Sequence, residues 1–231
     1  MPLESSALIT ASGLSRVYGE GETAVEVFSG LSLSIEKGEL VLIMGPSGVG
    51  KSTLLHILGG LDIPTSGTVT IDGTPITSMS EEERIVFRRR RIGMVFQFHH
   101  LLEEFTLIEN VAIPLLILRE KRKAAYERAA EYLDRLGLAG KEHRYTRELS
   151  GGEQQRAALA RAMVTGANIL LADEPTGNLD RKTERFTMDF LTELHGQNAW
   201  TSVIVTHNEH LMPYARRVLH FEGGMLRDTY V

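Results

Sequence analysis

The sequence predicts an α/β fold with a mostly parallel sheet, and three observations carry that expectation. Continuous apolar runs, "ELVLIM", "NILLAD" and "SVIVTH", read as strands buried on both faces. Segments with helical periodicity lie between them. A glycine-rich turn joins the first of these strands to the first helix.

Composition bounds the problem. The chain has 231 residues, 42% hydrophobic and 24% charged, enough for one packed domain over 1–231 with room for a subdomain. The formal net charge of −5 argues against a general nucleic-acid binder, which carries a basic surplus. The absence of cysteine excludes disulfides, thiolate zinc sites and cysteine nucleophiles, and agrees with a reducing compartment. The opening "MPLESSALITASGLSRVYGE" lacks a basic segment followed by an apolar core, so no signal peptide is expected. The longest apolar stretch, "VAIPLLIL", is far short of the ~20 residues that cross a bilayer. Work at a membrane would require something else to hold the protein there.

Taken in order, "VEVFSGLSLSI" has strand periodicity around a glycine, and "KGELVLIMG" is a buried strand running into the glycine-rich turn. "KSTLLHILGGL" is a helix stopped by Gly59 and Gly60, and "SGTVTIDGTPI" a strand pair turning at Asp72-Gly73. In "SMSEEERIVFRRRR", Ser80 and Glu83 match a capping box, acids fill the first turn and arginines the last. Arg88 to Arg91 read either as a phosphate or RNA patch or, more simply, as a solvated helix end complementing the macrodipole. "RKAAYERAAEYLDRLGL" places Tyr126, Ala129, Ala130, Leu133 and Leu136 on one helical face, and Gly137 ends it. "EQQRAALARAMVTG" and "RKTERFTMDFLTELHG" are further helices, and "VLHFEGGMLRDTYV" closes the chain as a hairpin at Gly223-Gly224. The region leading to "EQQRAALARAMVTG" from "VFQFHHLLEEFTLIENVAIPLL" lacks buried strands and reads as a mainly helical insertion. The expected division is a core of about 1–96 and 166–231 and a helical subdomain of about 97–165.

The motifs carry chemistry. "GPSGVGKST" (Gly45, Pro46, Ser47, Gly48, Val49, Gly50, Lys51, Ser52 and Thr53) matches the phosphate-binding loop G-x-x-x-x-G-K-[ST], with a buried strand before it and a helix after. The glycines let backbone N–H groups turn toward phosphate, and the helix N-terminus adds positive potential. Lys51 is suited to the outer phosphates and the Ser52 hydroxyl to magnesium. "ILLADEP" brings Asp173 and Glu174 to the carboxyl end of a strand, where open α/β sheets place their ligands. Asp173 is suited to hold magnesium through water, and Glu174 to orient and deprotonate an attacking water. In "LSGGEQQR", Ser150, Gly151 and Gly152 open a second helix as a second anion site. Alone, that segment reads first as an ordinary glycine cap on a helix. With a nucleotide already filling the first site, a second copy of the chain is one economical source of the second phosphate.

Together the phosphate loop, "LSGGE", "LLADEPTGNLD" and "VTH" resemble, in order and over essentially the whole chain, the nucleotide-binding subunits of ATP-binding cassette (ABC) transporters. The resemblance implies a P-loop NTPase of the ABC ATPase type, with an N-terminal antiparallel β portion and the helical insertion above. It implies an ATPase that uses ATP and Mg2+, in which Ser150, Gly151, Gly152 and Glu153 meet the nucleotide of a second copy. Tyr18 resembles the aromatic residue that stacks on adenine, a contact worth ~1–3 kcal/mol. Gln97 matches a glutamine that contacts magnesium and water, and His207 a histidine that touches the γ-phosphate. Asn178, Leu179 and Asp180 resemble the loop linking two active sites. The chain departs from the family pattern at Thr146 and Arg147, where a proline is common, and at Glu153 and Asn208, where glutamine and an acid are frequent.

The resemblance also accounts for "VFQFHHLL". After the matching glutamine, such subunits line a cleft that receives a helix from an integral-membrane partner, here near Gln97-Phe105. Adjacent histidines, His99 and His100, diverge in direction and lack further ligands, which disfavours a metal site. Large exposed apolar patches mark interaction sites. Within the family, "QFHHLL" with its flanks resembles the ATPases of bacterial lipoprotein-releasing systems, implying a peripheral protein on the cytoplasmic face of the inner membrane. Macrolide-type exporters and an FtsE-like nucleotide-gated cell-division regulator are the alternatives. A soluble ABC ATPase of DNA repair or translation would usually carry extra domains.

Overall fold

A computed structural model describes residues 7–177, 179–198 and 200–230. Its centre is a six-stranded sheet of order β10-β9-β3-β8-β7-β6. The strands are β3 (Leu40–Met44), β6 (Ile92–Val95), β7 (Ile169–Asp173), β8 (Thr201–Thr206), β9 (Arg217–Glu222) and β10 (Met225–Tyr230). All neighbours are parallel except the β9–β10 hairpin. An antiparallel sheet of order β2-β1-β4-β5 stands beside it, from β1 (Ala7–Tyr18), β2 (Val25–Glu36), β4 (Ser66–Ile71) and β5 (Thr74–Pro75).

Why the parallel strands read as unbroken apolar runs is now evident. Successive side chains of a strand point to opposite faces, and here both faces are covered. Val41, Ile43, Leu171, Val203 and Val205 face one core, shared with the antiparallel sheet and helix α1 (Lys51–Leu58). Leu40, Leu42, Leu170, Ala172 and Ile204 face the other. Helices α3 (Leu107–Ile117), α4 (Arg122–Arg135), α5 (Gly151–Met163) and α6 (Arg181–Asn198) supply the rest of that second core. Fully burying one such aliphatic side chain contributes about 1.5–3 kcal/mol.

Helix α2 (Glu81–Arg91) begins with the expected capping box. Ser80 Oγ accepts from Glu83 N, while the Glu83 carboxylate accepts from Ser80 N at 2.8 Å. The solvated reading of its arginine end holds for Arg89 and Arg90 but not throughout. Arg88 is half-buried and its guanidinium donates to Gly60 O at 2.7 Å, while Arg91 pairs with Asp72 at 3.2 Å. Two of the four arginines therefore fasten the helix to neighbouring turns.

Two strands escape the sequence reading. In β1, register shifts between Ala11 and Leu14 and a left-handed Gly13 (φ 59°) interrupt the alternation. In β6, only four residues follow directly on the arginines of α2. No strand is assigned between Val95 and Ile169 among the described residues; α3, α4 and α5 occupy that interval. Among the described residues no helix is long and apolar enough to cross a membrane.

The stretch "VFQFHHLLEEFTLIENVAIPLL" is not one surface. Leu107, Ile108, Val111, Ala112 and Leu115 are core residues of α3, so the apolar character of that half comes from folding. Exposure is confined to its first half and to the end of α3. Phe98 is 72% exposed, and Leu102 and Phe105 are exposed beside it.

Candidate active site

The loop between β3 and α1 is shaped by close approach. A Cβ on Gly45 (φ 159°) would stand 2.5 Å from Phe221 O, and one on Gly50 (φ 107°) 2.5 Å from Val27 Cγ1. Only glycine fits either position. No side chain caps α1, so its first N–H groups remain free to face an anion. Pro46, Ser47 and Gly48 are exposed and Val49, Ser52 and Thr53 half-buried. Lys51 is buried, and its Nζ donates to Gly45 O at 2.8 Å and Pro46 O at 2.9 Å. The ammonium is thus held inside the curl of the loop.

At the carboxyl end of β7, Asp173 is buried. Burial pushes its carboxyl above the ordinary carboxylate value, the Ser52 hydroxyl hydrogen-bonded to it acts in the opposite sense, and the neighbouring Glu174 charge raises it further. Glu174 sits in a left-handed backbone conformation (φ 47°) that a glutamate seldom adopts. Its Oε2 accepts from Thr206 Oγ1 at 2.9 Å, and its Oε1 accepts from His207 N at 3.0 Å and lies 2.6 Å from His207 Nδ1. The in-register pairing of β7 with β8, Asp173 opposite Val205, brings these groups together. The His207 ring is otherwise open to solvent, 67% exposed.

Gln97 is exposed and follows β6 by two residues. Because Val95 pairs with Ala172 in parallel, Gln97 leaves the sheet at the same edge as Asp173. Tyr18, at the end of β1, donates its hydroxyl to Asp62 at 2.7 Å. Arg16 lies over one face of its ring at 4.2 Å and also pairs with Asp62 at 2.8 Å. The ring is thereby fixed and remains 41% exposed.

The second candidate anion site opens α5. Ser150 is its N-cap in a reciprocal capping box, with Glu153 Oε2 accepting from Ser150 N at 2.7 Å and from Ser150 Oγ at 2.9 Å. Lys141 Nζ contacts the other carboxylate oxygen, Oε1. These bonds, that of Lys141 foremost, hold the Glu153 carboxyl down at about 2. Nothing stands within 4 Å of a Cβ built on Gly151, while one on Gly152 would meet Leu179 at 3.2 Å. Asp180 caps the start of α6, accepting from Lys182 N at 3.0 Å, Thr183 N at 3.1 Å and Thr183 Oγ1 at 2.7 Å. Asn178 lies outside the described residues.

The fold therefore gathers Gly45–Thr53, Asp173, Glu174, His207 and the backbone of Gln97 at one sheet edge. Among the described residues, no hydrogen bond or ion pair joins Ser150–Glu153 or Asp180 to the phosphate loop. Three contributors were not picked out by sequence reasoning. Thr206, on Glu174, precedes His207 in "VTH" and was within reach of it. Arg161, whose guanidinium donates to His99 O at 2.8 Å and His100 O at 2.7 Å, and Lys141 left no local signal.

Residues 28–177 match the family model described as "ABC transporter". The chain belongs to the ABC transporter family, as one of its ATP-binding, ATP-hydrolysing cassettes. It is similar to the lipoprotein-releasing system ATP-binding protein LolD of Bordetella pertussis, with 49% identity over 98% of both chains. The LolD of Geobacter metallireducens is also 49% identical, over 95% of this chain and 97% of its own. Among solved structures, the ATP-binding cassette MJ0796, a dimer in a post-hydrolysis state bound to ADP and Pi, superposes with a TM-score of 0.92. It is 36% identical, and the match covers 96% of this chain and 98% of that one.

Proposed function

We propose that this cassette powers release of lipoproteins from the bacterial inner membrane, by closing with a second copy around two ATP molecules. The assignment of cargo rests on similarity to the LolD proteins along nearly the full chain. The closing motion is carried by one observation. Helix N-termini fit for an anion open α1 at Lys51 and α5 at Gly151, and among the described residues no hydrogen bond or ion pair joins the two. A head-to-tail pair sets the phosphate loop of each copy against Ser150, Gly151 and Gly152 of the other, as the dimeric cassette MJ0796 makes reasonable.

In the reaction, a water oxygen bonds to the γ-phosphorus as the bond from that phosphorus to the β,γ-bridging oxygen breaks. Glu174 takes the water proton. Its carboxylate is aimed by Thr206 and His207, which keeps it from rotating out of reach. His207 turns its exposed ring edge toward the γ-phosphate, and Lys51 moves from its own loop carbonyls to the outer phosphates. Tyr18 offers its free ring face to adenine. Ser52, Asp173 and Gln97 would hold magnesium, and the site suits it. Burial makes the Asp173 charge costly, which a divalent cation offsets, and a hydroxyl lies against it. When bound, the ion supplies neutralisation of charge on the phosphates.

Residues 97–165 act as a helical unit that moves against the core of 1–96 and 166–231. Phe98, Leu102 and Phe105 meet an integral-membrane partner, which keeps the protein at the cytoplasmic face. Loss of a general base costs about 10²–10⁴-fold in rate, or ~3–5 kcal/mol of barrier. Glu174→Gln is therefore expected to bind ATP, hydrolyse it at that reduced rate and accumulate as a dimer, read by light scattering. Near-normal turnover would remove Glu174 from its role. A pull-down of tagged Glu174→Gln from native membranes with ATP and magnesium tests the cargo. Two lipoprotein-release membrane proteins are expected, whereas a drug-exporter or division partner would keep the ATPase and discard lipoprotein release.

A further inference from the structure

Helix α5 carries an acid where an incoming phosphate needs donors. Glu153 sits in the first turn, and its Oε2 occupies both the Ser150 N–H and the Ser150 hydroxyl at 2.7 and 2.9 Å. A γ-phosphate arriving there would face a fixed negative charge and a serine already engaged. Like charges in such proximity oppose binding strongly. The helix N-terminus alone favours one anion, not two.

Lys141 changes that balance. It lies in a turn between α4 and α5 whose backbone is well fastened. Lys141 N donates to the buried Leu138 at 3.2 Å, and Arg144 N donates to Lys141 O at 3.0 Å. Glu142 O and Arg144 O in turn accept from Ile108 N at 2.9 Å and Leu107 N at 2.8 Å, tying the turn to the start of α3. From this fixed position the ammonium meets Glu153 Oε1, on the side of the carboxylate away from the Ser150 bonds. The pair is little exposed, at 30% and 16%, so water screens it only partly.

We propose that Lys141 is a positioning residue for the nucleotide bound by the partner copy. It cancels the Glu153 charge and holds that carboxylate while the Ser150 hydroxyl and the Gly151 and Gly152 N–H groups turn to the γ-phosphate. This role rests on the two-copy reading above. It explains how an acid is compatible with a phosphate-binding turn, because acid and base together present no net charge.

The test is made in the Glu174→Gln protein, whose slow hydrolysis lets the ATP-bound dimer accumulate. Dimer fraction is followed by size exclusion with light scattering against ATP concentration, with magnesium present. Lys141→Met is expected to raise the ATP needed for half-dimerisation by about 10-fold or more, the order for one uncompensated like-charge contact. Adding Glu153→Gln should restore it, because no charge then needs cancelling, and Lys141→Arg should stay near the parent. If Glu174→Gln alone gives no ATP-driven dimer, the two-copy reading falls and takes this role with it. If it dimerises and Lys141→Met leaves the curve unmoved, only the role of Lys141 is overturned. A Lys141→Met defect that Glu153→Gln does not relieve overturns it too, since a lost packing contact would behave that way.

Discussion

At Glu174, the candidate general base is legible in the sequence by its place after an apolar strand, but its restraint is not. The left-handed backbone and the three contacts from Thr206 and His207 depend on how β8 lies against β7, a relation between residues more than thirty positions apart. Thr206 is fully buried, and its hydroxyl both donates to Glu174 and accepts from Asn208 N at 3.0 Å. Thr206→Val keeps the shape and removes both bonds. Leaving a buried polar group unpaired costs about 1–3 kcal/mol, so a lower urea midpoint is expected. Steady-state ATPase assays should show kcat reduced about 10-fold with KM little changed, because the carboxylate is less well aimed while the phosphate loop is untouched. Unchanged kcat would mean His207 alone suffices to aim it. Locally coded features contrast with this. The capping boxes at Ser80–Glu83 and Ser150–Glu153 are set by residues three apart, and the first was read correctly from spacing alone.

At the scale of elements, the buried strands and most helices announce themselves through composition and period, because each is covered on both faces or on one stripe. The apolar run that continues beyond Phe105 is ambiguous in the sequence for the same reason. Leu107 to Leu115 satisfy α3, and periodicity cannot tell a core stripe from a docking surface. The neighbouring Phe98–Phe105 stretch is held from two helices: the buried Asn110 of α3 accepts from Leu102 N at 2.7 Å and donates to Leu102 O at 2.9 Å, and α5 supplies the second contact. Arg161, near the end of α5, donates to the carbonyls of His99 and His100, and its burial lowers the guanidinium below its ordinary value. Arg161→Met should release those carbonyls. Faster amide hydrogen exchange is expected over 97–105, with the strands of the main sheet unaffected. Equal exchange in both proteins would show that α3 anchors the stretch unaided.

For the whole molecule, the order of motifs suffices to foresee the parallel sheet and the strand ends at which Asp173, Glu174 and His207 stand. That the Ser150 turn stands apart from the phosphate loop is not coded locally, nor is the turn that carries Lys141, which is positioned through α3 rather than through its own sequence. The exposed apolar cluster is what remains for a partner to cover. Phe98→Asp is expected to leave ATP binding by the isolated subunit intact while co-purification with membrane proteins drops about 10-fold or more, as loss of a buried aromatic anchor does. Retained co-purification would place the partner elsewhere.

Helix α5 begins at the turn of Ser150, Gly151 and Gly152 and, at Arg161 eleven residues beyond Ser150, holds the backbone of His99 and His100. At 1.5 Å per residue, those two duties lie about 16 Å apart on one hydrogen-bonded rod. Such a rod has almost no slack. The placement of the exposed Phe98 segment and that of the Ser150 turn are therefore set by one and the same helix.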